Sequence, residues 1–235
     1  MGRYLRAAVV VGVACCGTLL VTGCGSLKQI GAGVHNPAGK TYTITPRVTT
    51  VTLDTAGSVT ITGSSGGGPV RVTEEASYSK TPPATTHTVS GSTLTLAYTC
   101  KSQLVCSVDY TIAVPRGVAV HAESREGSVT LTSVSGAVTA RTFAGLITAT
   151  GLTSPSAVLT SSAGGVDATF ATPPASVQAS TNAGTITIAV PGSADYKVSA
   201  DAIVGVSTVT VHHSASATHV ITAHSDLGSI TISPS

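Results

Sequence analysis

The C-terminal half of this sequence repeats one short phrase. Gly127-Ser128-Val129-Thr130-Leu131-Thr132 is followed by Gly136-Ala137-Val138-Thr139-Ala140-Arg141, Gly145-Leu146-Ile147-Thr148-Ala149-Thr150 and Gly165-Val166-Asp167-Ala168-Thr169. Ala175-Ser176-Val177-Gln178-Ala179-Ser180, Gly184-Thr185-Ile186-Thr187-Ile188-Ala189 and Gly228-Ser229-Ile230-Thr231-Ile232-Ser233 continue it. Neighbouring units lie about 8 to 12 residues apart, and similarity at a short interval marks stacked units that bury a core only together. Side chains alternate across a strand, so Val129 and Leu131, Ile147 and Ala149, and Ile186 and Ile188 share one face, while Thr130, Thr132, Thr148 and Thr150 take the other. The leading glycine lets the chain turn before each strand. These units predict an all-β, β-solenoid-like stack with one or two units per coil. An antiparallel sandwich shares the alternation and stays open as an alternative.

Composition agrees with strands and excludes other classes. Only 9% of the 235 residues are charged and 3% aromatic, while 42% are hydrophobic. A disordered chain needs low hydrophobicity and high net charge; here the mean hydropathy is +0.37 and the net charge +2. Twelve Lys plus Arg and no Trp give a nucleic-acid ligand neither a basic stripe nor a stacking platform. No window carries the apolar spacing of a helix. Before the repeats, residues 48–53, 58–62, 70–73 and 86–90 read as less regular strands, with a glycine-rich loop over 63–68.

At the N-terminus, Arg3 and Arg6 precede an apolar run over 7–21, which closes on Leu20-Val21-Thr22-Gly23-Cys24. The run is short for a bilayer span and ends in small residues, as an export signal does. With a cysteine directly after Gly23, this segment resembles the bacterial lipoprotein signal. That resemblance implies cleavage before Cys24 and diacylation of its thiol, and two acyl chains suffice for stable membrane attachment. The expected organisation is a signal peptide over 1–23, a flexible tether over 24–40, an N-terminal β region over 41–115 and the repeat region over 116–235, with 41–235 one continuous domain. The mature chain is then close to neutral, and the expected location is outside the cytoplasmic membrane, held by the lipid.

Export leaves Cys100 and Cys106 as an even pair in an oxidising setting, which predicts a disulfide. Alternating flanks over 93–99 and 107–114 predict that it closes an antiparallel hairpin. A redox or metal role lacks CxxC spacing and a nearby histidine.

The repeats, preceded by Val108-Asp109-Tyr110-Thr111-Ile112-Ala113-Val114-Pro115 and Val118-Ala119-Val120-His121-Ala122-Glu123-Ser124, resemble the bacterial putative-adhesin domain of Gly-x-Val-x-Val strands over roughly 47–233. The resemblance implies a β-solenoid-like fold and an envelope role, and it transfers no catalytic residue. Where that family carries acidic turns, this sequence has Ser128, Ala137, Leu146 and Thr185.

Candidate chemistry is sparse. Ser65 in Gly63-Ser64-Ser65-Gly66-Gly67 matches a nucleophile elbow, but a glycine run leading to Pro69 follows it where an elbow needs a helix, so it reads as a loop. Ser77-Tyr78-Ser79-Lys80 has Ser-x-x-Lys spacing without a helix. His212, His213, His219 and His224 gather near the C-terminus, but adjacent residues on a strand face opposite ways, so they read as solvated histidines and no metal is expected. Glu123, Arg125 and Glu126 read as a solvated turn. Thr130, Thr132, Thr148 and Thr150 would form a hydroxyl-and-methyl array if their coils came into register; Arg141, Asp167 and Gln178 interrupt the series, which favours reading them as threonines that serve β-propensity on a solvated face. The expectation is a non-enzymatic structural or interaction module without a cofactor, facing a cell-wall polymer or another envelope protein. The alternatives are an envelope-stress or signalling accessory that binds a peptide or small ligand by strand addition at the last coil, where Pro234 would blunt the edge, and, third, a carbohydrate-active enzyme.

Overall fold

The computed structural model describes residues 33–37, 39–45 and 47–235, so the expected signal segment, Cys24 and much of the expected tether lie outside the described residues. All regular structure among them is β. In chain order the strands are β1 (Lys40–Ile44), β2 (Thr50–Thr55), β3 (Val59–Gly63), β4 (Val70–Tyr78), β5 (Ala84–Ser90), β6 (Thr93–Thr99), β7 (Cys106–Val114), β8 (Ala119–Ser124), β9 (Val129–Thr132) and β10 (Val138–Ala144). There follow β11 (Ile147–Leu152), β12 (Ser156–Ala163), β13 (Val166–Phe170), β14 (Ser176–Ala183), β15 (Ile186–Val190), β16 (Tyr196–Val204), β17 (Ser207–Val209), β18 (His219–Leu227) and β19 (Ile230–Pro234).

From β6 onward every strand changes sheet. Even-numbered strands enter a nine-stranded sheet and odd-numbered ones a ten-stranded sheet. Parallel neighbours need a long crossover, commonly a helix. Here the strand in the opposite sheet is the crossover, so short turns suffice and two sequence units make one coil. Val120, Val138, Ala157, Val177 and Ile221 then stand side by side in one sheet. Val59, Val129, Ile147, Val166, Ile186 and Ile230 do so in the other. All are buried, and each fully buried Val, Leu or Ile contributes about 1.5–3 kcal/mol. The core is thin but not free of rings, since Tyr110, Phe170 and Tyr196 are among its largest buried side chains.

Both ends depart from chain order. The coil β6–β7 lies outside β2–β3, and antiparallel β4, β1 and β5 extend the two sheets beyond it. At the other end the chain lays down β16–β17 as the terminal coil and then returns to insert β18–β19 beneath it. Pro234 therefore does not blunt an edge, because β19 is paired with β15 on one side and β17 on the other.

The bridge Cys100–Cys106 is formed, with an S–S distance of 1.98 Å. Its flanking strands do not pair with each other, contrary to the expected hairpin: β6 joins β2 and β5, whereas β7 joins β3 and β4. The disulfide closes an arch between the sheets. Alternation is the same in a hairpin and an arch, which is why the sequence pattern does not separate them.

Stacking along one corner follows a second rule. Ser124 Oγ donates to the Gly57 carbonyl at 2.8 Å, Thr142 Oγ1 to Gly127 at 2.9 Å, Ser161 Oγ to Gly145 at 2.9 Å, Thr181 Oγ1 to Gly164 at 2.7 Å and Ser225 Oγ to Gly184 at 3.1 Å. Each hydroxyl is buried and reaches the preceding coil. The glycine three residues later sits so close to that coil that a Cβ on Gly145, Gly164, Gly184 or Gly228 would fall 1.9–2.4 Å from a backbone carbonyl oxygen.

Candidate binding surfaces

The outer face of the ten-stranded sheet carries one unbroken register. Thr41 pairs with Thr73, Thr73 with Thr111, Thr111 with Thr60, Thr60 with Thr130 and Thr130 with Thr148. Thr148 then pairs with Asp167, Asp167 with Thr187, Thr187 with Thr231 and Thr231 with Thr208. Nine threonines and one aspartate thus cross all ten strands at the inter-strand spacing of about 4.8 Å. Thr62, Thr132 and Thr150 make a shorter parallel row two positions on. Of the expected interruptions only Asp167 lies here; Arg141 and Gln178 are in β10 and β14 of the other sheet. Thr41, Thr73, Thr111 and Thr208 escape sequence reasoning because their strands lack the repeated phrase.

A cleft of about 670 Å³ opens where the disulfide arch overhangs the nine-stranded sheet. Its walls include Asp54, Tyr98, Lys101, Leu104, Arg125 and Glu126. Arg125 Nη2 donates to Asp54 Oδ2 at 3.2 Å, and this hydrogen bond pushes the guanidinium still further above its ordinary pKa. Tyr98 Oη accepts from the Ala56 N–H at 3.0 Å. Gln103 fixes the arch, accepting from the Lys80 and Thr81 N–H groups at 2.8 and 3.0 Å and donating to the Thr81 carbonyl at 2.8 Å. Arg125 and Glu126, read from the sequence as a solvated turn, therefore line a concave surface. The signal for it is their proximity in β-register to Asp54, which needs the out-of-order pairing of β2 with β8.

The histidines separate. His224 lies between Asp201 at 3.3 Å and Asp226 at 3.0 Å. His219 Nδ1 is 2.7 Å from the Pro174 carbonyl, and His213 Nδ1 accepts from the Val198 N–H at 3.3 Å. With the Tyr196 N–H donating to His212 O at 2.9 Å and the Ser214 N–H to Tyr196 O at 3.0 Å, residues 212–214 cover the start of the β16 edge. No group of three or more metal-ligating side chains suited to an ion is found among the described residues. Ser65 sits in a loop after β3, and Ser77 and Lys80 flank the end of β4 without a helix.

One carboxylate is buried without a cation. Glu74, 5% exposed, receives a hydrogen bond from Tyr42 Oη at 2.5 Å and lies beside Tyr110 in register, whose buried hydroxyl has no partner among the described residues. Burial first, then the nearby Glu74, raises both phenols well above their ordinary value of 10.0. Tyr42 also stacks on His87 with ring centroids 4.5 Å apart.

The pairings above define an all-β module of two mixed sheets with strands alternating between them. Among solved structures, the chain is similar to a "putative adhesin" from Bacteroides fragilis, at 16% identity over 86% of this chain and 97% of that one, with a TM-score of 0.45. It is also similar to a "putative cell adhesion protein" from Clostridium sporogenes, at 14% identity over 85% and 100% of the two chains, with a TM-score of 0.43. No family model matches, and no curated protein matches.

Proposed function

We propose that this protein is a non-catalytic interaction module, lipid-anchored at Cys24 in the cell envelope, that presents its threonine face to a flat polymeric partner such as cell-wall material. The observation that carries the reading is the row from Thr41 to Thr208, in register on all ten strands. A row of this kind offers hydroxyls that both donate and accept, set at a constant interval beside methyl groups. It suits a partner that is itself repetitive and uncharged. Support for the anchor is the small-residue run ending at Gly23-Cys24.

Co-sedimentation with purified cell-wall sacculi tests the reading. The wild-type chain is expected to pellet, and Thr130→Lys with Thr148→Lys to stay soluble, while Ser180→Lys on the opposite sheet behaves as wild type. Equal behaviour of all three proteins overturns it. Membrane fractionation of Cys24→Ala tests the anchor separately, and unchanged membrane retention overturns that part.

A further inference from the structure

We propose that the cleft beneath the disulfide arch binds a saccharide unit, at a site distinct from the threonine face. Charge is scarce in this chain, at 9% of residues, yet Asp54, Glu126, Lys101 and Arg125 converge on this one concavity. Two acids and two bases balance, so the cleft holds no net field to select an ion. What they offer together is donors and acceptors at close quarters, the requirement of a neutral, hydroxyl-rich ligand. Tyr98 adds an aromatic side chain in a sequence with 3% aromatics, and aromatic faces pack against the apolar face of a sugar ring. The volume of about 670 Å³ falls within the range of about 300–1,000 Å³ typical of small-molecule sites.

The site is also preorganised, which lowers the entropic cost of binding. Cys100–Cys106 closes the arch, the three Gln103 hydrogen bonds tie it to residues 80 and 81, and the Ser79 N–H donates to the Val105 carbonyl at 3.0 Å. Below, Ala56 orients the Tyr98 hydroxyl and Asp54 orients the Arg125 guanidinium. The arch does not need to form on binding.

Titration calorimetry of the full processed chain tests this, with trimers of N-acetylglucosamine, glucose and mannose as probes and trialanine as the peptide comparator. One saccharide is expected to bind, with Arg125→Ala and Tyr98→Ala each weakening it at least tenfold, and Cys100→Ser with Cys106→Ser weakening it through loss of the arch. Circular dichroism of each variant checks that it folds. Backbone amide shifts of residues 98–107 and 125–126 locate the ligand even where a variant fails to fold. The proposal is overturned by shifts confined to other residues, by no response to any of the three saccharides, or by binding of trialanine alone. Thr130→Lys is expected to leave saccharide binding unchanged. Loss of sacculus binding with retained saccharide binding therefore separates the two sites, so either reading can fail alone.

Discussion

The hydroxyl of Thr181 donates to the carbonyl of Gly164 at 2.7 Å, joining one coil to the one before it. The bond is buried, and a buried acceptor deprived of its donor costs about 1–3 kcal/mol. Thr181→Val, which keeps the shape and loses the hydroxyl, is expected to lower stability by that amount in urea unfolding. Thr181→Ser keeps the donor and should retain most of it, and exposed Thr150→Val should stay within about 0.5 kcal/mol of wild type. The terminal coil breaks the rule: Ala202 pairs with Ser225 in register, and its own glycine, Gly205, still stacks on Gly228. Ala202→Ser should therefore add about 0.5–1.5 kcal/mol by donating to the Gly228 carbonyl.

Glycine substitutions separate close approach from backbone strain. A Cβ on Gly164 would lie 2.1 Å from the Gly145 carbonyl oxygen, at a φ of +153°. Coils cannot move apart locally without breaking their ladder, so Gly164→Ala is expected to cost more than about 4 kcal/mol, or to prevent soluble expression. Gly117 has a φ of +79° and no neighbour within 4 Å, so Gly117→Ala incurs only left-handed strain, about 1–2 kcal/mol. Gly66 has open space and no such φ, and Gly66→Ala should be neutral or slightly stabilising. Thermal unfolding of the three proteins gives the order directly; equal losses at 164 and 117 would contradict the close-stacking account.

The repeated phrase makes the inward pairs such as Val129 and Leu131 legible because alternation is local and each unit carries its own copy. Coil order is not local. Nothing in the residues of β16 announces that it lies beyond β18, since both alternate in the same way and the choice depends on which coil can complete its stacking. The Ser/Thr-x-x-Gly corner was present in the sequence at Ser124, Thr142, Ser161, Thr181 and Ser225, but a hydroxyl next to a turn ordinarily reads as solvated. Only stacking makes it buried. The threonine row shows the same limit: Thr130 and Thr148 are visible as partners, whereas Thr111 joins them through a strand with a different phrase. The cleft at Tyr98 and Arg125 depends on that same order, because β2 lies between β6 and β8.

Tyr42, Glu74 and Tyr110 give the fold a defined alkaline limit. Both phenols have their pKa raised in the folded chain, by burial first and by the Glu74 carboxylate next, while in the unfolded chain they titrate near 10.0. A raised folded value means that the folded state holds its protons longer, so the stabilisation is fully present below the unfolded pKa and is lost as pH rises above it. Urea midpoints should be flat with respect to these groups between about pH 7 and 9, then fall through about pH 10 and above. Tyr42→Phe is expected to lose about 1–3 kcal/mol at neutral pH, because Glu74 is left buried without its donor. Tyr110→Phe removes a hydroxyl that has no partner among the described residues and should be neutral or stabilising. Both variants should show a shallower alkaline decline than wild type. A wild-type midpoint that does not move between about pH 9 and 11, or a Tyr110→Phe loss as large as that of Tyr42→Phe, would refute this assignment.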